Sequence, residues 1–255
     1  MAEASPGNFV WYDLLTSNPA AAIPFYEHVV GWTSQPFEND YTMFAGAEGP
    51  LAGTTKLPEE AAKMGAPPHW TSNVMVADVD ATVVEVRKLG GRVFMEPKDY
   101  PTVGRLAVIA DPQGAPINVY KPKGPMKLRD SSKPGAFIWH ELLTTDHVAA
   151  FAFYSKLFGW QQRSEFDMGP MGKYLIYGDA SQDFGGMFTR GQNMPQAPLW
   201  FYYIQTTNLD AAVERAKSKD ARLLNGPMDV PSGARIAQLS DPQGAIFALH
   251  EAKKP

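Results

Sequence analysis

The chain has 255 residues, 44% of them hydrophobic and 20% charged, with 27 acidic against 23 basic side chains and a formal net charge of -4. That composition suits one large folded domain or two ordinary ones, and it provides no basic face for phosphate, so nucleic acid is not an expected partner. Cysteine is absent, which excludes disulfides, thiolate nucleophiles and Cys-bound zinc.

The opening stretch, "MAEASPGNF", lacks the basic-then-apolar profile of a signal peptide, and no run of about 18 apolar residues offers a membrane span. A cytoplasmic protein without a membrane partner is expected. The segment "FVWYDLL" then reads as a strand. Asn18 can cap a following helix with Pro19 at its first position, carried through Ile23, Tyr26 and Val30 and stopped by Gly31. Short strands are predicted around "YTMFAG" and "LAGTTKL", another at "TSNVMVAD", a helix over Asp80–Leu89 ended by Gly90 and Gly91, and further strands up to "PINVY".

The chain then starts again. "NFVWYDLLTSNPAAAIPFYEHVVGW" matches "AFIWHELLTTDHVAAFAFYSKLFGW" at an offset of 128 residues, so that Trp11, Phe25, Tyr26 and Gly31 recur as Trp139, Phe153, Tyr154 and Gly159. Farther on, Asp80, Arg105 and Asp111 recur as Asp210, Arg235 and Asp241 at an offset of 130. A repeat of this length is a domain rather than a solenoid unit. The Pro-, Gly-, Ser- and Lys-rich "KPKGPMKLRDSSKPG" reads as the junction. The expected domains are residues 1–122 and 135–255, joined by a linker at 123–134. Within each copy a strand, a helix and about three strands occur twice.

The paired modules, the helix ends "FYEHVVGW" and "FYSKLFGW", and the "DPQGA" segments before the last strands together resemble the vicinal oxygen chelate superfamily, which includes glyoxalase I, extradiol dioxygenases and bleomycin resistance proteins. The resemblance covers nearly the whole chain. It implies an α+β fold of two tandem domains, each of paired βαβββ modules that curl an antiparallel sheet into a cup with helices outside. Metal-binding members carry His, Glu or Gln on the first and last strands of the modules. Carried onto this sequence, those positions fall on Trp11, Ser72 and Asn118 in the first copy and on Trp139, Tyr202 and Ala248 in the second, with a further position near Gly53 and near Gly186. None of these residues is a strong ligand for a divalent ion. No metal site and no cofactor are expected, although a divalent metal on other ligands stays open.

"FIWHELLTTD" places His140 beside Glu141, but successive side chains on a strand point to opposite faces, so the two cannot form a dyad. If Trp139 faces the cup, Glu141 and Leu143 share its face, and Ile138, His140 and Leu142 face the helices. The first copy repeats this, with Trp11, Asp13 and Leu15 inward. His140 is then a structural histidine. A carboxylate beside a tryptophan has its charged form disfavoured unless a donor or cation partners it, so Glu141 is the first candidate for a catalytic base and His250 the second. Arg105 and Arg235 either bridge acidic groups at the sheet rim or fork onto an anionic ligand. Asn118, Tyr120, Ser72 and Tyr202 are candidates for contact with a ligand. Trp70, Trp200, Tyr41, Phe44, Tyr174, Tyr177 and Tyr203 either line an aromatic pocket or form plain core. The expected partner is a small organic molecule, and the chain acts as a two-domain monomer or a homodimer. Three functions remain open: a metal-independent lyase or isomerase on a small carbonyl or aromatic compound, a non-catalytic sequestering protein, and a metal-dependent glyoxalase or dioxygenase with unusual ligands.

Overall fold

The computed structural model describes residues 2–192, 194 and 197–253. The first copy runs β1 (Phe9–Thr16), α1 (Pro19–Val30), β2 (Thr33–Pro36), β3 (Thr42–Gly46), β4 (Gly49–Lys56), α2 (Glu59–Lys63), β5 (His69–Met75), α3 (Val79–Lys88), β6 (Arg92–Tyr100), β7 (Gly104–Ala110) and β8 (Pro116–Pro122). The second runs β9 (Phe137–Thr144), α4 (His147–Phe158), β10 (Gln161–Asp167), β11 (Lys173–Gly178), β12 (Asp183–Thr189), β13 (Leu199–Thr206), α5 (Leu209–Lys217), β14 (Arg222–Asp229), β15 (Arg235–Ser240) and β16 (Ile246–Glu251). No helix among the described residues is long and apolar enough to cross a membrane.

The local signals account for the helix ends. The Asn18 side chain accepts from the Ala21 amide at 3.2 Å, and Gly31, at φ 85°, closes α1 with a bond from its N–H to Glu27 O. Asp146 caps α4 through the Val148 and Ala149 amides, both at 3.0 Å. The third helix starts one residue earlier than Asp80, because Asp78 is its cap, accepting from Ala81 N at 2.9 Å.

Each copy builds one eight-stranded sheet, in the orders β2-β3-β4-β1-β5-β8-β7-β6 and β10-β11-β12-β9-β13-β16-β15-β14. These sheets are mixed rather than antiparallel throughout. In every module the first strand pairs with the last in parallel: β1 with β4, β5 with β8, β9 with β12 and β13 with β16. A helical crossover makes this possible, since the antiparallel meander that follows it returns its last strand in the direction of the first.

The two copies share their packing. By density of contacts the chain forms two compact units, residues 1–11, 72–128 and 139–200 in one and residues 12–71, 129–138 and 201–255 in the other. Each unit takes a module from each copy, and the repeated motifs meet inside them. In the second unit α1 packs on α5, the Tyr26 hydroxyl donates to Asp241 at 3.1 Å, Trp32 Nε1 donates to Gly135 O at 2.8 Å, and Tyr12 stacks on Phe137 at 3.7 Å. In the first unit α3 packs on α4, burial raises the pKa of Asp111 while its backbone bonds and the facing Tyr154 lower it, Trp160 Nε1 donates to Gly7 O at 2.8 Å, and Phe9 stacks on His140 at 3.7 Å. The "FY…GW" helix of one copy thus docks on the "DPQG" turn of the other. Such reciprocity is the signature of an isologous contact.

The glutamines of the two turns break the reciprocity. Gln113 Oε1 accepts from the Thr144 hydroxyl, from Thr145 Oγ1 at 3.3 Å and from Asp146 N at 3.2 Å, whereas its counterparts Gln243 Oε1 and Thr16 Oγ1 are buried without a hydrogen-bond partner. Gln113→Ala is expected to cost about 1–2 kcal/mol in urea denaturation and Gln243→Ala less than about 0.5 kcal/mol. Equal costs would show that the bonds to Gln113 contribute nothing net.

A candidate ligand site of aromatic rings and carboxylates

The first unit places Glu141 on β9 between aromatic side chains. The Tyr174 hydroxyl donates to Glu141 Oε2 at 2.7 Å and accepts from Trp139 Nε1 at 2.8 Å. Glu141 and Tyr174 are both 8% exposed, and Trp139 is half-buried. The bonds run in one direction, indole to phenol to carboxylate, so each polarises the next.

Strand register explains how residues 33 apart in sequence meet. Gly186 on β12 lies opposite Glu141, and Ile176 on β11 lies opposite Gly186. Tyr174, two residues before Ile176, leans diagonally over the glycine, and a Cβ at position 186 would fall 2.1 Å from the Tyr174 ring. Phe166, Tyr174 and Phe188 face one another across three strands, with ring centroids 5.1 and 5.7 Å apart. The result is a row of three stacked rings whose middle member, Tyr174, holds a carboxylate.

The second unit repeats the plan from the first copy. Met43, Gly53 and Asp13 lie side by side on β3, β4 and β1. Tyr41 crosses over Gly53, whose Cβ would lie 2.2 Å from it, and donates to Asp13 Oδ1 at 2.5 Å. Here the carboxylate and the phenol are half-exposed. The sequence had offered Tyr41, Tyr174, Gly53 and Gly186 separately. The signal that joins them is the common 133-residue offset of both pairs, distinct from the 128 and 130 found elsewhere.

On the second modules two expectations shift by one residue. Asn118 is opposite Asn73 and donates to its side chain at 3.4 Å, so Asn73, not Ser72, shares the Asn118 face. Likewise Tyr203 is opposite Ala248 and accepts from Gln238 at 2.8 Å, while Tyr202 turns to the other face and packs against Tyr12 at 5.8 Å. His250 Nδ1 donates to Gln205 Oε1 at 2.6 Å, and burial lowers its pKa, so its Nε2 carries a lone pair at neutral pH. The Tyr120 hydroxyl donates to Val103 O at 2.9 Å. Trp200 is core, 3% exposed and packed against Tyr154 and Trp160.

His140 lies in the core. Its ring stacks on Phe9 and Nδ1 donates to Phe184 O at 2.7 Å, and burial lowers its pKa to about 4. Arg105 forks onto Asp80 at 2.7 and 2.8 Å and reaches Asp99 at 2.8 Å. Arg235 forks onto Asp210 at 2.8 and 2.9 Å and lies 3.6 Å from Glu251. Both arginines bridge acids at the sheet rim.

The donors do not suit a divalent cation. Trp139 offers only an N–H, Gly186 has no side chain, and the space beside it holds the Tyr174 ring. Among the described residues no three His, Cys, Asp or Glu side chains gather into a metal-binding group.

Residues 10–120 match the model of the glyoxalase-like domain, and residues 137–249 that of the glyoxalase/bleomycin resistance protein/dioxygenase superfamily. The chain belongs to this superfamily. Over 255 residues it is 33% identical to "Putative glyoxylase CFP32" of Mycobacterium tuberculosis, covering 97% of this chain and 96% of that one. Over 269 residues it is 31% identical to the "Anthracycline biosynthesis protein DnrV" of Streptomyces peucetius, covering 100% and 96%. In fold it is similar to the Mn(II)-bound glyoxalase of Novosphingobium aromaticivorans, with a TM-score of 0.70 and 14% identity over 99% of this chain and 84% of that one. It is similar also to the 2,3-dioxygenase LapB of Pseudomonas sp. KL28, with a TM-score of 0.70 and 10% identity over 99% and 94%.

Proposed function

We propose that this protein binds a small, flat organic molecule without a metal ion, and that Glu141 acts on it as the proton acceptor in a lyase- or isomerase-type proton shift next to a carbonyl. The observation that carries this reading is the Trp139–Tyr174–Glu141 chain. It holds a carboxylate, oriented and largely shielded from water, against a row of rings. A base in such a place needs geometry first and a suitable protonation state second, and stacked aromatic side chains suit a planar ligand. Glu141 gives the proton it has taken from one atom of the ligand back to another, so the shift consumes no other reactant. A relative named for anthracycline biosynthesis is in keeping with an aromatic ligand.

A second reading is sequestration without chemistry. The Tyr174 hydroxyl both accepts and donates, and a carboxylate held this way can serve purely as an anchor.

Glu141→Gln separates the two, because it keeps the shape and removes the charge. Binding of 1-naphthol is followed by quenching of tryptophan fluorescence, and proton abstraction by deuterium exchange into 2-tetralone. The variant is expected to melt within a few degrees of wild type, bind naphthol with affinity within about threefold, and lose exchange by at least about 100-fold. Absence of exchange in the wild type, with naphthol still bound, would leave sequestration. A lower melting temperature with binding and exchange intact would make Glu141 structural. Metal content of protein purified without chelators is expected to lie far below one equivalent per chain.

A further inference from the structure

We propose that Asp13 and Tyr41 form a second ligand site, which takes a neutral hydroxylated aromatic molecule whose O–H replaces the Tyr41 phenol on the Asp13 carboxylate. The inference draws its ligand class from the reading above but stands on separate residues in the other compact unit.

The first ground is the bond itself. Tyr41 O–H to Asp13 Oδ1 is 2.5 Å, the length of a charge-assisted bond between a hydroxyl and a carboxylate. An aromatic hydroxyl is therefore already the group this acceptor holds. The second is accessibility. Asp13 and Tyr41 are half-exposed, where Glu141 and Tyr174 are buried, so an incoming hydroxyl can compete for Asp13 without opening a core.

The third ground is the way Tyr41 is delivered. It follows a turn in which Asn39 and Asp40 both adopt left-handed backbone, at φ 54° and 59°, a conformation that non-glycine residues adopt at a cost. The turn is closed by Phe37 N to Tyr41 O at 2.8 Å, and residues 37–40 are exposed. Tyr41 is thus carried on an exposed turn, whereas Tyr174 is clasped between Phe166 and Phe188. The position matching Phe188 in the first copy is the smaller Thr55, and Phe37 meets Tyr41 edge-on at 6.4 Å. Charge sets the last condition. A carboxylate only accepts and repels carboxylates and phosphates, so the occupant is a donor without negative charge.

Titration calorimetry with 1-naphthol, with 1-naphthoate as the anionic control, tests this on the full chain. Wild type is expected to show a naphthol site that Asp13→Asn weakens about tenfold while deuterium exchange into 2-tetralone is unaffected. Tyr41→Phe, which removes the competing phenol, is expected to tighten the same site by about threefold or more. Gly53→Ala, which drives the ring off by a contact of 2.2 Å, should act in the same direction by an independent route. Naphthoate should bind at least about tenfold more weakly at this site. Naphthol binding indifferent to Asp13→Asn, or weakened by both Tyr41→Phe and Gly53→Ala, overturns the inference. If the Asp13-dependent site is found and no ligand binds at Glu141, the reading of the previous subsection falls while this one stands.

Discussion

Between pH 7 and pH 4 the wild-type protein is expected to lose several kcal/mol of stability, and the His140→Phe variant to lose about 3 kcal/mol less over the same range. His140 is buried and neutral, with a pKa lowered from 6.5 to about 4 because burial disfavours the imidazolium. The unfolded chain takes up that proton near pH 6.5 and the folded chain only near 4. The stabilisation from keeping the ring neutral is therefore complete above pH 6.5 and withdrawn as the pH falls to about 4. His69 and His250, also lowered by burial, add slopes of the same sign in both proteins, so the difference between the two curves isolates His140. Phenylalanine keeps the stack on Phe9 and leaves Phe184 O without its donor, which should cost about 1–2 kcal/mol at pH 7.5. Denaturant midpoints at five or six pH values suffice. Parallel curves would mean that His140 takes up its proton in the folded protein without penalty.

Gly186→Ala is expected to destabilise the protein by about 2–3 kcal/mol, and the same change in a Tyr174→Ala background by less than about 1 kcal/mol. The alanine methyl would meet the Tyr174 ring at 2.1 Å, and the ring is held by Phe166, Phe188, Trp139 and Glu141. With the ring gone, a strand glycine replaced by alanine gains from a less mobile unfolded chain. Equal costs in the two backgrounds would show that the strain at position 186 lies in the backbone rather than under the tyrosine.

How far the sequence could be read depended on whether one face of an element differs from the other. The β1 segment alternates from Trp11 to Thr16, and β9 matches it at an offset of 128, so the shared face of Trp139 and Glu141 and the opposed His140 follow from period two carried over from the first copy. The β5 and β13 segments do not alternate. From Trp70 to Val74 and from Trp200 to Gln205 every residue is buried, so both faces read alike and a slip of one residue carries no penalty in the pattern. That is why Ser72 and Tyr202 were expected where Asn73 and Tyr203 stand. Tyr174 over Gly186 was out of reach for a different reason. The contact depends on register across three strands, which no local pattern in the sequence announces. The "DPQG" turns were legible as turns, since Asp111 Oδ1 and Asp241 Oδ1 each accept from backbone amides one to three residues past the proline. The tyrosine docked on Asp241 comes from 215 residues away, and nothing local announces it.

The reciprocal docking of helix on turn has a bearing on how such a chain could arise. A gene encoding one copy would make a protein whose tyrosine needs an aspartate on another molecule, and two such molecules would satisfy each other twice. Joining the genes end to end turns that concentration-dependent encounter into an intramolecular one. It also frees the two copies to drift apart. Asp13 and Glu141, and Thr55 and Phe188, are places where this chain has used that freedom, keeping the partnership while changing what lines each compact unit.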